Sequence, residues 1–339
     1  MEYNIKADAK VAVIGYGSWG TALVKILLEN EKKIGWFITN PEVKQSLAED
    51  GINVRYLSDV HFDDTSRIEI ISEINEVVTK YDILIFAVPS AFLPLVTNNI
   101  AVSMEDKFVI SAIKGIVDNN GNLITVAEYF NQQFGVPFKQ LGLITGPCHA
   151  EEVALERLSY LNVVCKDLNN ASLIATKIEC QYIRVNILSD IYGTEYSTVL
   201  KNIYALAVGI CSSISYGDNF IAVLIANAER ETKHFLDSTY ACEDRDVNTS
   251  PYLGDLLVTS YSKFSRNRTF GAMIGKGYSV KSVMLELSMV AEGYYAAKCI
   301  HKITSSLGVE MPIVNAVYNI LYEKKSSRHE FEKLSKLLK

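Results

Sequence analysis

Short runs of apolar residues alternate with stretches of helical periodicity through the first half of the chain. Each run is bounded by polar or turn-forming residues, which is typical of strands buried on both faces. The pattern predicts five strands, at Val11–Ile14, Ile34–Ile38, Ile83–Val88, Phe108–Ile113 and Leu141–Thr145. Strands that alternate with helices form a parallel sheet through right-handed crossovers. We therefore predict a doubly wound α/β domain at the start of the chain.

The pattern of apolar positions changes near residue 190. Before that point, Leu161–Cys165 and Tyr182–Ile187 have the composition of strands and are expected to extend the same sheet. After it, apolar residues recur at helical spacing in Ser197–Ser213, Ile221–Leu236, Leu253–Ser262, Ser279–Leu307 and Ile313–Glu323. A chain of 339 residues is also long for one hydrophobic core. We predict a sheet-containing domain at residues 1–190 and a mostly α-helical domain at residues 191–339.

A glycine-rich turn follows the first predicted strand. Gly15, Gly17 and Gly20 have the spacing G-x-G-x-x-G, and an apolar-rich helix begins directly behind them. The first glycine permits a tight turn, the second lets the backbone approach a pyrophosphate, and the third lets the helix pack closely on the strand. The free N–H groups and the dipole of that helix attract phosphate. In this setting the motif predicts a dinucleotide-binding (Rossmann) domain.

The composition excludes several classes of protein. Hydrophobic residues make up 49% and charged residues 21% of the chain, which is not the composition of a disordered or low-complexity protein. A formal charge of −6 argues against nucleic acid as the main partner. The longest apolar run, Ile83–Val96, contains two prolines and is too short to cross a bilayer, so we expect no membrane insertion.

The six cysteines are widely spaced and form no metal-ligand pattern. They predict buried thiols in a reducing compartment and no bound metal. The polar N-terminus lacks the apolar core of a signal peptide, so we expect a cytoplasmic protein. The sequence does not fix the oligomeric state, and a homodimer is compatible with it.

Ligands of open α/β sheets bind beyond the carboxyl ends of the strands, so the loops that follow the strands hold candidate residues. Three such loops are Val88–Phe92, Ile113–Ile116 and Thr145–Ala150. Their prolines and glycines serve ordinary turns equally well. Lys114 is more informative, because an ammonium at the end of a buried strand suits a phosphate in the crevice; a solvated surface charge is the alternative.

A second candidate lysine lies in the helical half. Lys201 is part of the apolar stretch Val199–Ile203, where burying an unpaired ammonium would be costly. Either its stem is buried while the ammonium reaches water, or it is a catalytic acid and base. Desolvation and a second cation such as Lys114 would then lower its pKa toward neutrality.

Polar and charged side chains then concentrate in one short stretch that contains Asp255, Thr259, Ser265, Arg266 and Asn267. Arg266 suits a phosphate monoester, because a planar guanidinium can donate two parallel hydrogen bonds to it. Helix caps and surface ion pairs are the alternative for each residue. Glu292, taken alone, has the character of an ordinary exposed charge.

Taken in order, these residues resemble the NAD(P)-dependent glycerol-3-phosphate dehydrogenase family, in a divergent bacterial-type branch. The resemblance covers nearly the whole chain and rests on Gly15–Leu23, Asn53–Leu57, Ala87–Ser90, Lys114–Gly115, Gly146–Pro147, Ala150–Ala154, Leu200–Asn202, Gly217–Asn219, Gly254–Leu256, Ser265–Asn267, Glu292–Gly293 and Gly308–Ile313. The tryptophan after the second glycine and the Lys-Asn, Gly-Asp-Leu and Ser-Arg-Asn combinations are not general features of dinucleotide-binding folds.

The resemblance implies reversible hydride transfer between dihydroxyacetone phosphate, a small phosphorylated triose, and sn-glycerol 3-phosphate, which supplies phospholipid synthesis. It implies catalytic roles for Lys201, as general acid and base at the C2 oxygen, and for Lys114 and Asp255. It implies a coenzyme site at Gly15, Gly17, Ser18, Trp19, Gly20, Tyr56, Lys114, Ala150, Arg266, Val290 and Glu292. It implies a substrate site at Lys114, Gly146, Cys148, Lys201, Asn202, Asp255, Thr259, Ser265, Arg266 and Asn267.

Four departures from the family pattern stand out. Cys148-His149 replaces a serine followed by Phe or Thr, and the usual arginine near the end of the second strand aligns with Thr39. Ala226–Ala228 replaces Thr-Arg-Gly, and Ser250–Leu253 replaces a glycine-rich approach to the next motif. The second strand therefore ends without an arginine for a 2′-phosphate or an acid for a 2′-hydroxyl.

The coenzyme is thus expected to be NAD or NADP with modest discrimination. NAD is favoured because Thr39 cannot neutralise a 2′-phosphate, although Lys44 is a nearby cation that could fold back to it. Two other functions stay open. Another two-domain hydroxyacid or opine dehydrogenase would not need Ser265–Asn267. A non-catalytic dinucleotide-sensing protein would not need Lys114, Lys201, Asp255 and Arg266 together.

Overall fold

The computed structural model describes residues 4–287 and 291–339. Its backbone divides into two units. One extends to Ile113 and includes Val117–Ile191, and the other combines Lys114–Ile116 with Tyr192–Lys339. The first unit contains a large mixed sheet, and the second is helical apart from its connecting turns.

The sheet of the first unit has eight strands in the order β10-β9-β8-β5-β4-β1-β2-β3, with a separate β6–β7 hairpin. The strands are β1 (Val11–Ile14), β2 (Ile34–Phe37), β3 (Ile68–Ile71), β4 (Ile83–Phe86), β5 (Phe108–Ser111), β6 (Val117–Asn119), β7 (Asn122–Ile124), β8 (Leu141–Thr145), β9 (Ser159–Cys165) and β10 (Ile183–Leu188). The five predicted strands and the two expected extensions are all present, which confirms the doubly wound architecture.

The sheet differs from the prediction in two respects. First, β9 runs antiparallel to β8, with Leu143 opposite Val164, although all other neighbours are parallel. The link between them contains only the five-residue helix Ala150–Ala154. Such a helix rises about 7.5 Å, too little to return along the seven-residue β9 for a parallel crossover. Second, β3 was not predicted, because this edge strand is interrupted by Glu69 and its burial is partial.

Helices cover both faces of the sheet. They are α1 (Ser18–Asn30), α2 (Pro41–Glu49), α3 (Ile74–Lys80), α4 (Leu93–Thr97), α5 (Val126–Phe134), α6 (Ala150–Ala154) and α7 (Leu168–Ile178). Alternate residues of β1 point to opposite faces: Val11 and Val13 join one buried cluster, and Ala12 and Ile14 join the other. This alternation produces a three-layer unit whose strands are apolar on both sides.

The second unit contains α8 (Ile191–Ser213), α9 (Asp218–Thr239), α10 (Asp255–Tyr261), α11 (Arg266–Gly275), α12 (Val280–Leu287), α13 (Glu292–Leu307), α14 (Pro312–Leu321) and α15 (Ser327–Ser335). The mostly helical character predicted for this half is confirmed. The single helical segment predicted at Ser279–Leu307 is wrong, because Ala291 has the extended backbone of an N-cap (φ −94°, ψ 98°) and α13 starts afresh after it. No helix in the described parts of the chain is long and apolar enough to cross a membrane.

Helices α8 and α11 pack with their backbones in close approach. A Cβ atom on Gly209 would overlap the carbonyl of Arg268, and one on Gly271 would overlap the carbonyl of Leu206. Only glycine permits this separation of the helix axes at either position. The packing brings the polar segment of α8 beside the beginning of α11.

Candidate active site

The glycine-rich turn of the first unit forms a cradle at the start of α1. Gly15 has φ +123°, and a Cβ there would lie 2.5 Å from the carbonyl oxygen of Ala87. A Cβ on Gly17 would meet nothing within 4 Å, so the space above it is open. Gly17 is also the N-cap of α1 and offers no side chain to its first N–H groups. An open space against uncapped N–H groups fits the pyrophosphate of a dinucleotide.

Asn53 holds this turn from behind. Its buried Nδ2 donates to the carbonyl of Tyr16 and to Oγ1 of Thr21, both at 2.8 Å. The backbone of Tyr56 turns back onto Asn53, and the rings of Tyr16 and Tyr56 lie 6.3 Å apart. The sequence motif Asn53–Leu57 contains this residue but does not indicate its supporting role, which depends on its burial against the glycine-rich turn.

The remaining predicted residues of the first unit occupy strand and helix ends. Ser18 is buried at the beginning of α1, followed by the partly buried Trp19 and then Gly20, whose Cβ would overlap Gly15. At the end of β8, Gly146 has φ +133°, and a Cβ there would lie 2.8 Å from Nδ2 of Asn162.

Cys148 and Ala150 lie just beyond Gly146. Cys148 is a buried free thiol, and Ala150 is the first residue of α6. The loop that carries both residues therefore starts at the carboxyl end of β8, a central strand, as the sequence predicts.

A buried ion pair lies at the centre of the second unit. Lys201 of α8 contacts Oδ1 of Asp255, the first residue of α10, and the two side chains are only 4% and 1% exposed. A five-residue π-helical turn, Ser250–Gly254, leads directly into α10 and sets the position of Asp255. The divergent segment at 250–253 thus still delivers the carboxylate to Lys201.

Burial and two charged neighbours act on the pKa of Lys201 in opposite directions. Burial lowers the pKa of its ammonium, the Asp255 carboxylate raises it, and the neighbouring Lys114 ammonium lowers it again; the result is about 7, against an ordinary value of 10.5. A lysine with this pKa exchanges protons readily at neutral pH. The alternative in which the ammonium reaches bulk water is wrong, since the side chain is enclosed.

Amide side chains connect the Lys114 segment to three helices. Asn202 donates to the carbonyl of Lys114 and to that of Thr198, each at 3.3 Å. Its Oδ1 accepts a 2.9 Å hydrogen bond from Asn267, whose own Oδ1 accepts one from the Gly293 N–H. The two asparagines predicted as substrate ligands therefore also carry this internal network, a role that the sequence did not suggest.

The beginning of α11 presents its charged residue outward. Ser265 is the N-cap, and its hydroxyl accepts from the Arg268 N–H. Arg266, the first helical residue, is exposed and forms no ion pair with any carboxylate that the structure describes. A free guanidinium at a helix N-terminus is suited to a phosphate.

Three predicted residues remain. Thr259 is buried one turn after Asp255, where its hydroxyl donates to the Asp255 carbonyl at 2.7 Å. Glu292 is the first residue of α13 and partly exposed. Val290 lies outside the described residues.

The divergent segment 226–228 lies on α9. Asn227 donates to the carbonyls of Val223 and Lys339 and accepts from the Lys339 N–H. The residue that stands for the family arginine thus serves a surface contact in this chain.

Comparison with known proteins agrees with this arrangement. Residues 10–171 match the family described as NAD-dependent glycerol-3-phosphate dehydrogenase N-terminus, and residues 190–332 match the corresponding C-terminus. The chain belongs to the NAD-dependent glycerol-3-phosphate dehydrogenase family. Both halves of the family pattern are present, in the same order and over most of the chain.

Individual relatives in this family align with this chain over almost the whole length of both proteins. A glycerol-3-phosphate dehydrogenase [NAD(P)+] of Prosthecochloris aestuarii is 33% identical over 93% of this chain and 94% of its own. The corresponding enzyme of Exiguobacterium sp. is 33% identical over 96% of this chain and 95% of its own.

Solved structures show the same fold. A glycerol-3-phosphate dehydrogenase of Coxiella burnetii superposes with a TM-score of 0.87 at 24% identity, covering 97% of this chain and 99% of its own. D-mandelate dehydrogenase superposes with a TM-score of only 0.51 at 11% identity, covering 93% of this chain and 98% of its own.

Proposed function

We propose that this protein catalyses the reversible, NAD(P)-dependent reduction of dihydroxyacetone phosphate to sn-glycerol 3-phosphate. The observation that carries the proposal is the buried Lys201–Asp255 pair beside Lys114, since a dehydrogenase of this type needs a proton donor at the carbonyl oxygen. Family membership and the pyrophosphate cradle at Gly15–Gly20 support the same reaction. The product would serve phospholipid synthesis.

Lys201 is the general acid of this mechanism. A reduced nicotinamide, when bound, would supply the hydride that C2 of the substrate requires. The Lys201 ammonium then donates a proton to the C2 oxygen as negative charge develops there, and in the reverse direction the neutral amine accepts it. Because its pKa is about 7, both protonation states are populated at neutral pH. Asp255 stabilises the ammonium form, and Lys114 adds positive charge beside the oxygen.

The phosphate of the substrate is assigned to Arg266 and the beginning of α11. The exposed guanidinium, the N-terminal N–H groups of a ten-residue helix and the Ser265 hydroxyl together favour a dianion. Asn202, Asn267 and Thr259 border the Lys201 pair and are assigned to substrate through the hydrogen-bonding capacity that their internal contacts leave. The family resemblance also assigns Gly146 and Cys148 to the substrate.

The coenzyme is assigned to the sheet-containing domain, residues 1–190, and the substrate to the helical domain, residues 191–339. The family resemblance further assigns Ser18, Trp19, Tyr56 and Ala150 of this domain, together with Val290 and Glu292 of the helical domain, to the coenzyme. The six free thiols suit a cytoplasmic location. A homodimer is the assembly we propose to test, by light scattering of the purified protein.

The decisive experiment measures oxidation of NADH and NADPH with dihydroxyacetone phosphate, glyoxylate, pyruvate and pyruvate plus an amino acid. Activity restricted to dihydroxyacetone phosphate, with Lys201→Ala lowering kcat by roughly 10²–10⁴-fold, supports the proposal. A preference for a hydroxyacid precursor or an opine mixture overturns it. Coenzyme binding without turnover of any carbonyl compound would identify a sensing protein.

A further inference from the structure

The carboxyl end of β2 is the place where a dinucleotide-binding domain reads the ribose 2′ position. In this chain the strand is followed by the exposed Thr39, which carries no charge, and by Asn40, whose side chain accepts from the Val43 N–H as the cap of α2. Neither residue can neutralise a 2′-phosphate. The position of the nearby charges therefore determines what this end of the sheet recognises.

Lys44 folds back from α2 to this strand end. Its Nζ donates to Oγ of Ser72 at 3.1 Å, and that hydroxyl donates to the carbonyl of Ile38 at 2.9 Å. The Ile38 N–H in turn donates to the Ile71 carbonyl, so the contact lies where β2 and β3 end together. Lys44 is half-buried as a whole, its hydrogen bond to Ser72 is exposed, and no carboxylate in the described parts of the chain pairs with its ammonium. It is a cation whose hydrogen-bond partner is the neutral hydroxyl of Ser72.

Two other charges at this end of α2, Glu42 and Arg55, are matched to each other. Glu42, in the first turn of α2, accepts a 2.6 Å hydrogen bond from Nε of Arg55. This pair removes the carboxylate as a source of repulsion toward a phosphate, and it occupies Arg55. Glu42, Arg55 and Lys44 together therefore carry a net charge of +1, which corresponds to the charge of Lys44.

We propose that Lys44 recognises the 2′-phosphate of NADP in place of the absent strand-end arginine. The proposal rests on the proposed function, because it assumes that the Gly15–Gly20 turn binds a nicotinamide dinucleotide. It revises the preference for NAD that Thr39 alone suggests: the chain should accept both coenzymes. Lysine acts as a point charge without the bidentate geometry of arginine, so discrimination should stay modest.

The test compares binding of two fragments that lack nicotinamide, adenosine 2′,5′-bisphosphate and 5′-AMP, by titration calorimetry. In Lys44→Met we expect the affinity for the bisphosphate to fall roughly 5- to 30-fold, while 5′-AMP binds as in the parent protein. Lys44→Arg should restore the bisphosphate affinity. Lys33→Met is the matched control, because Lys33 lies just before the first residue of β2, at the other end of the strand, and pairs with Glu69. This variant should change the affinity for neither fragment.

Four results would overturn the proposal. Equal losses for both fragments, or no loss, would mean that Lys44 does not contact the 2′ substituent. A selective loss in Arg55→Met but not in Lys44→Met would assign the 2′-phosphate to Arg55. If the parent protein binds neither fragment, the dinucleotide function itself fails, and the Lys44 assignment fails with it.

Discussion

Replacing Asp255 by asparagine should move the pH profile of the enzyme in a direction fixed by the structure. The substitution keeps the shape of the side chain but removes the charge that contacts Lys201. Lys201 is then left buried beside Lys114 without its counter-charge. Its pKa, now about 7, should fall because the one neighbour that raises it is gone.

The size of this shift can be bracketed. Two unit charges at about 4 Å interact by roughly 4 kcal/mol at an effective dielectric of 20. At about 1.36 kcal/mol per pKa unit, this corresponds to roughly three units. The asparagine dipole and entering water replace part of the lost interaction, so we expect about 1–2 units. A shift of about 1.5 units leaves roughly 3% of Lys201 protonated at pH 7 instead of half.

The assay is kcat/KM against pH in both directions. Reduction requires the ammonium form, so its rate falls as pH rises through the pKa of Lys201; oxidation requires the amine, so its rate rises there. In Asp255→Asn the falling limb of the reduction profile and the rising limb of the oxidation profile should both move to lower pH, by the same 1–2 pH units. The reduction rate at pH 7 should fall by about 15-fold from protonation alone.

The Lys114→Met variant should shift the pH profiles in the opposite direction. Removing that cation should move both limbs to higher pH, whatever it does to substrate affinity. A loss of activity in Asp255→Asn that is equal at every pH, or limbs that move to higher pH, would refute the reasoning: Lys201 would then not be the titrating group, or Asp255 would act only on the fold. A thermal melt of each variant separates the second case.

Three further predictions concern single side chains. Arg266→Ala should cost about 3 kcal/mol in kcat/KM for dihydroxyacetone phosphate, roughly 150-fold, with little effect on unphosphorylated dihydroxyacetone; equal losses would detach Arg266 from the phosphate. Cys148→Ser should retain activity, because hydride transfer needs no covalent intermediate; a stoichiometric substrate adduct on the thiol, seen by mass spectrometry, would contradict this. Gly271→Ala should lower the free energy of unfolding by about 2 kcal/mol or more in chemical denaturation, because its Cβ overlaps the Leu206 carbonyl; an unchanged midpoint would argue against the tight α8–α11 packing.

The elements visible in the sequence were those with strong local signals. The first strand and its glycine turn could be predicted because a buried parallel strand is continuously apolar and the motif has a mechanical reason for each glycine. The edge strand Ile68–Ile71 was missed, because an edge position tolerates a charge such as Glu69. The break before Glu292 was missed because apolar spacing persists across it.

Side chains that act over long sequence distances were harder to predict. The sequence identified Lys201 and Asp255 separately, but their contact depends on how α10 packs against α8. The same holds for Asn53, which supports the glycine turn from 32 residues beyond Thr21. The sequence shows Lys44 as a cation near the end of β2, yet only the tertiary structure places Ser72 where its hydroxyl can accept from the ammonium.

The adjacent pairs Lys201-Asn202 and Arg266-Asn267 show why residue types alone underdetermine a site. Successive residues of a helix point about 100° apart, so both members of a pair cannot face one ligand equally. In each pair the cation is the member suited to a charged substrate, and the asparagine binds the internal network. Asn202 already donates twice and accepts once, whereas Asn267 keeps one amide hydrogen free of these contacts. Of the two amides, Asn267 is therefore the one with a donor left for a substrate oxygen.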